Sequence, residues 1–315
     1  MRRPQLSPSR YRAVAIAALA AQVVIVVTGA AVRLSDSGLG CSDWPNCNRQ
    51  KLVDVSSGHA AIEQLNRLFT GVVMVAVVLA VLGSLWRTPR RRDLTRLSAV
   101  IAFGVPMQGV LGAIVVWTHL NPFATQQHML LSMTLVCLST VLVHRAGRPD
   151  GVRVRPAVAG DVRRHVQAIV VLTGSAVVAG TVVTGAGPHA GDQRAKRFDV
   201  DISHAARLHG ILVIAAVAAA VALGWRMRRR PADRRVLEAP MTTWLCIAVL
   251  QAGVGYVQYF NDVPAVLVGV HVAGATALWL VSVQLWLSTA RGAEVADGAP
   301  VTAVAAVAQS SSAPA

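Results

Sequence analysis

Charge is what this sequence is short of. Only 14% of its 315 residues are Asp, Glu, Lys or Arg, against ~25% in a soluble domain. Acidic residues are the scarcer sign, 15 against 30 basic ones. A soluble chain of this length would have too few charges to cover its surface, so a soluble globular protein is excluded. Cysteine is rare too: of the four, Cys41 and Cys47 share one loop, while Cys137 and Cys246 lie in apolar stretches and read as small core residues. What fills the chain instead is apolar sequence, 54% of it. Stretches near 20 residues recur at 12–32, 63–86, 96–117, 123–143, 165–186, 204–226, 241–259 and 264–287. Each is long enough to cross a ~30 Å hydrocarbon core at 1.5 Å per residue. Helix is the expected form, because an isolated span must satisfy its own backbone polar groups within lipid.

The net charge of +15 is placed in a way that argues for lipid and against nucleic acid. Basic residues cluster at Arg2 to Arg12, Arg87 to Arg96, Arg145 to Arg164 and Arg226 to Arg235, which are the N-terminal segment and every second loop. The alternate loops carry mixed charge or nearly none. Lys/Arg excess marks the cytoplasmic side, so both ends are expected in the cytoplasm, with a basic face toward anionic lipid headgroups. The first apolar run continues into Arg33 and a second span follows, so it reads as a retained span and not as a cleaved signal. The Ala-, Ser- and Pro-rich segment 291–315 is expected to be a disordered cytoplasmic tail.

An internal repeat organises the spans. Met107-Gln108-Gly109-Val110-Leu111-Gly112 resembles Leu250-Gln251-Ala252-Gly253-Val254-Gly255 at an offset of 143 residues. The same offset takes His128 to His271, Asn66 to His209 and Leu65 to Leu208. Thr28-Gly29 matches Thr184-Gly185 at 156, so the first outer loop is the longer one. The expected architecture is an all-α integral membrane protein, eight transmembrane helices arranged as two duplicated four-helix bundles, 1–150 and 151–290. An even number of spans per unit makes the two units parallel, related by an axis along the membrane normal.

The matched polar positions are Asn66, His128, His209 and His271, each on an even-numbered span a turn or two in from its outer end. Ionisable residues at that depth are uncommon and face the bundle interior. One membrane histidine is more often a packing group; two from facing helices fit an axial pair for a porphyrin iron. His209 with His271 is such a pair, and His128 with Asn66 is an incomplete one. Glu63, three residues before Asn66, shares its helical face, and with Arg67 it makes a polar string at the start of the second span. Glu63 reads either as a helix start favoured by the dipole or as a carboxylate facing the first-half cavity. His59, four residues earlier, reads as a loop residue that could share that face. Cys41 and Cys47 lie on the oxidising side, where a disulfide persists, and two thiolates fall short of a zinc site. His119, His189 and His204 near outer ends, and His144 and His165 on the cytoplasmic side, are weaker candidates.

The run from Thr28 through Arg33, Gly38-Leu39-Gly40-Cys41 and Trp44-Pro45 resembles the first-loop signature of the heme A synthases. Ile62-Glu63 to Arg67 resembles their second-helix motif, and Thr184 to His189 continues the likeness in the second half. The resemblance implies a bacterial synthase that oxidises the ring D methyl of heme O to a formyl group, giving heme A for cytochrome oxidase, with oxygen derived from water. It implies a heme b on His209 and His271, substrate heme near His128, Asn66 and Arg67, a catalytic carboxylate at Glu63, and a Cys41–Cys47 disulfide. Heme O synthase as supplier, an unknown electron acceptor and a homo-oligomer follow as expected partners. Many members carry His where this chain has Asn66, so either His128 ligates alone or His59 substitutes. A b-type cytochrome and a duplicated proton-coupled transporter are the alternative readings.

Overall fold

A computed structural model describes residues 5–293. Eight helices make it up: α1 Pro8–Leu34, α2 Gly58–Trp86, α3 Arg92–Trp117, α4 Pro122–Ala146, α5 Gly160–Ala186, α6 Ile202–Met227, α7 Pro231–Phe260 and α8 Ala265–Ser288. All eight are long and apolar enough to cross a membrane, which makes this a multi-pass membrane protein. Their starts follow from local chemistry. Ser7 and Ser57 accept the Arg10 and Ala60 amides through Oγ, and Asn121 and Asp201 cap α4 and α6 through their side-chain oxygens. The largest departure from the expected spans is α7, which begins at Pro231 and not near 241. Its extra turns are solvated, with Arg234 and Glu238 paired at 2.8 Å one turn apart.

Within each half the helices form a ring. α1 packs on α2 and α4, and α3 on α2 and α4; α5 to α8 repeat that scheme. Helices α2 and α4, like α6 and α8, therefore face each other across an interior. The halves meet along α4 against α8, flanked by α1 on α8 and α4 on α5, the contact set expected of a two-fold relation.

Each ring is closed at one end by its own apolar core. Tyr11, Val77, Ile101 and Leu142 fill the first; Ile169, Leu223, Leu237, Trp244 and Leu285 fill the second. Both cores lie at the inner end, the one carrying the basic loops. Since lipid tails are as apolar as leucine, close packing and not transfer from water holds these helices together. On the outside, Phe103, Leu250 and Val266 are exposed, as a lipid-facing surface requires. Cys246 is exposed as well, so it belongs to that surface and not to the core.

At the inner end a short antiparallel pair, β1 Arg153–Pro156 with β2 Ala290–Ala293, ties the link between the halves to the end of α8. The first residues of the expected tail, 291–293, thus belong to a strand; 294–315 lie outside the described residues. Arg87, almost fully buried, holds Asp150 at 2.9 Å beside it.

Candidate heme-binding sites

The four matched positions all lie outward of the apolar cores. Asn66, His128, His209 and His271 stand six to eight residues into α2, α4, α6 and α8, roughly 9–12 Å along each axis. In the second half, the His209 and His271 rings stand opposite one another, with centres 6.2 Å apart and planes at 72°. Two imidazoles binding one metal through facing nitrogens, each at about 2.0 Å, place their ring centres about 6 Å apart. His209 Nδ1 lies 2.8 Å from the Ala176 carbonyl, a bond that puts the proton on Nδ1 and leaves Nε2 free to ligate. His271 is braced by Gln251, whose Nε2 donates to the His271 carbonyl at 2.7 Å and lies 3.3 Å from Nδ1. The donor set and spacing fit a bis-imidazole porphyrin iron.

Glycines make room for these rings. A Cβ on Gly180 would stand 3.2 Å from His209 Cε1, one on Gly255 3.3 Å from His271 Cε1, and one on Gly112 3.5 Å from His128 Cε1. Gly112 and Gly255 are repeat equivalents, so each half seats a histidine against a glycine of its third helix. Gly180 was missed by sequence reasoning, because close approach leaves no compositional trace until its partner is placed.

The first half is built differently. His128 Nδ1 is buried with no hydrogen-bond partner among the described residues, an orphaned polar atom at the position that matches His271. Gln108, equivalent to Gln251, donates to the His128 carbonyl at 3.2 Å and to Ser132 Oγ at 2.7 Å. Across the ring, Asn66 donates through Nδ2 to Thr28 Oγ1 at 2.9 Å. His59 is not a loop residue: it lies in the first turn of α2, with Nδ1 3.0 Å from Ser37 Oγ.

Glu63 and Arg67 anchor the first outer loop. The Arg67 guanidinium donates to Glu63 Oε1 through Nε at 3.0 Å and Nη2 at 2.6 Å, and through Nη1 to the Asp43 carbonyl at 2.9 Å. Glu63 Oε2 accepts the Cys41 amide at 2.7 Å. The Cys41–Cys47 disulfide is formed, and both sulfurs are buried against Ala60. Trp44 from the same loop reaches Gly109 of α3 and packs edge-on against Trp117. The loop is thus a cover over the outer mouth of the first ring, fixed to α2 by a buried acid–guanidinium pair. In the second half, the register of Glu63 and Arg67 is held by Ala206 and Gly210.

Residues 12–283 match the family model described as cytochrome oxidase assembly protein, COX15-CtaA. The chain is similar to the heme A synthase of Lysinibacillus sphaericus, 29% identical over 42% of this chain and 45% of that protein. It is also similar to the heme A synthase of Symbiobacterium thermophilum, 33% identical over 55% of this chain and 58% of the relative. A shorter likeness, 36% over 29% of this chain and 16% of the relative, links it to the protoheme IX farnesyltransferase of Chloroflexus aurantiacus. The chain spans about half the length of the heme A synthases it matches. With the family model covering all eight helices but for the ends of the first and last, this chain belongs to the COX15-CtaA family of cytochrome oxidase assembly proteins.

Proposed function

We propose that this protein is a heme A synthase of the cell membrane, oxidising the ring D methyl group of heme O to the formyl group of heme A. The observation that carries the proposal is the His209–His271 pair at 6.2 Å, in a chain whose relatives are named heme A synthases. The net change takes a methyl group and one water to a formyl group, four protons and four electrons. Water supplies the oxygen, and a membrane electron acceptor beyond the protein takes the electrons.

The residues divide that work between the halves. His209 and His271 hold a heme b in the second ring, with the Ala176 carbonyl fixing the His209 tautomer. Heme b, when bound there, supplies one-electron transfer. His128 holds the substrate heme in the first ring, with Asn66 and Arg67 beside it. Glu63 is the buried carboxylate of the outer end, and it stabilises positive charge that develops at the methyl carbon. Arg67 pairs with that carboxylate and aims it, and the disulfide loop shields the mouth from solvent. This chemistry belongs to the first half because only that half carries the acid–guanidinium pair.

The basic loops support an orientation with both ends in the cytoplasm and the disulfide loop outside. A protein named protoheme IX farnesyltransferase that carries a stretch resembling this chain supports a working partnership with the enzyme supplying heme O. The test is pigment extraction from cells expressing a heme O synthase, with and without this gene. Conversion of heme O to heme A is the expected result. Heme O accumulating unchanged beside a heme-loaded protein would leave only a b-type cytochrome, and a preparation without any heme band would leave neither.

A further inference from the structure

The two rings differ most at one pair of facing positions. In the second half, His209 on α6 lies against Gly180 on α5, where even a lone Cβ would stand 3.2 Å from the ring. In the first half both members of this pair are changed. The offset of 143 puts Asn66 in the place of His209. The offset of 156 relating Thr28-Gly29 to Thr184-Gly185 puts Val24 in the place of Gly180. The ligating ring and the gap that admits it are lost together, while the opposite wall is kept: His128 with Gly112 matches His271 with Gly255.

Asn66 does not replace the missing ligand. Its Nδ2 is bonded to Thr28 Oγ1 and has no lone pair for a metal, and its carboxamide oxygen is a hard donor, a poor substitute for imidazole at iron. His59, the imidazole of α2, is seven residues nearer the helix start, roughly 10 Å along the axis, and its Nδ1 is engaged by Ser37.

We infer that the first ring holds its porphyrin through His128 alone and leaves the iron's opposite face, beside Asn66 and Val24, open to a small neutral ligand such as water or a diatomic gas. This rests on the reading above that each ring takes a porphyrin. The second ring, with both axial positions filled, is closed to such ligands. Among the described residues the Asn66 carboxamide keeps one N–H and Oδ1 uncommitted, a polar contact for such a ligand. Restoring a histidine at 66 is not enough to close the site, because its ring would meet the isopropyl group of Val24.

Carbon monoxide is the probe. The whole protein is purified from cells co-expressing a heme O synthase, reduced, and titrated while its optical spectrum is followed. Half of the porphyrin is expected to bind carbon monoxide, and the oxidised protein to give one high-spin and one low-spin iron signal by electron paramagnetic resonance. Asn66→His alone keeps the carbon monoxide response; Val24→Gly with Asn66→His abolishes it and turns the high-spin signal low-spin. A His209→Ala/His271→Ala variant retains the responsive porphyrin, whereas His128→Ala loses it. Two porphyrins that are both low-spin and silent to carbon monoxide would overturn this inference and leave the proposed function standing. Finding no porphyrin in the His209→Ala/His271→Ala protein, with the wild type holding only one, would instead overturn the two-heme reading beneath it. Closure of the site by Asn66→His alone would remove Val24 from the argument and refute the paired change.

Discussion

At Gly180 the absence of one side chain decides whether an imidazole fits. His209 Cε1 would lie 3.2 Å from a Cβ there, so Gly180→Val gives the second ring the residue, valine, that the first carries at the repeat-equivalent position 24. Overpacking of this kind costs typically 1–3 kcal/mol, and heme affinity is expected to fall on the order of tenfold. Gly253, on α7 of the same ring, has open space where a Cβ would go, so Gly253→Val is the control. Heme per protein after purification checks both; equal loss in the two variants would sink the steric account. At this scale the sequence is uneven evidence. His128, His209 and His271 are legible because ionisable groups deep in apolar spans are rare and because the repeat puts two of them in register. Their glycine seats are not legible, since Gly180 in an Ala- and Val-rich helix looks like any other small residue until the partner ring is placed.

The first outer loop is the element whose form departs most from its counterpart, and its purpose shows in what it holds. Cys41 presents its amide to Glu63 while its sulfur is bonded to Cys47, six residues on. Closing so short a ring contributes about 2 kcal/mol in the chain-entropy account. In Cys41→Ser/Cys47→Ser the loop is expected to loosen, and Glu63 to lose its fixed amide donor. Heme A formation should then fall while the reduced spectrum of the second-ring heme stays unchanged; loss of both signals together would mean that the loop supports the whole fold and not the first site. Arg67→Lys probes the same clamp more gently. A point ammonium cannot reproduce the two-pronged bond to Glu63 and reach the Asp43 carbonyl as well, so lower heme A yield at unchanged heme b content is expected. The helices were legible from apolar run length alone, to within a turn or so at most ends. The start of α7 was not, because Pro231 to Ala239 is too polar to read as a span; its helix starts on Pro231 and is supported by the Arg234–Glu238 charge pair. The loop's fold was not legible either: its sequence announces a disulfide but not that Glu63 and Arg67 would be its anchors.

For the whole molecule, the repeat found in the sequence becomes a set of contacts between equivalent parts. Arg33 and His189 are related by the offset of 156, and Arg33 Nε donates to the His189 carbonyl at 2.6 Å. Its Nη2 donates to the Thr184 carbonyl at 2.9 Å. Beside them the Gly38 amide donates to the Gly191 carbonyl at 2.9 Å, and deeper down Trp279 Nε1 reaches the Met133 carbonyl at 3.0 Å. The sequence suggested two bundles and their parallel relation, but Arg33 passed there for one of several mixed outer-loop charges. In place, it fastens the outer ends of the two rings, on the side where the proposed electron transfer between them would run. Hydrogen bonds from a charged donor contribute about 1.5–3 kcal/mol each, so Arg33→Gln should cost roughly 3 kcal/mol at this junction. Both rings keep their own ligands, so heme content and the separate spectra should change little. The expected losses are a lower unfolding temperature in detergent and slower heme A formation, with Arg33→Lys recovering part of each because a lysine lacks the fork that reaches two carbonyls. An Arg33→Gln protein that melts like the parent yet makes heme A slowly would move Arg33 from the joint to the first ring's chemistry. One that melts lower but turns over normally would show that the rings exchange electrons without a rigid outer contact.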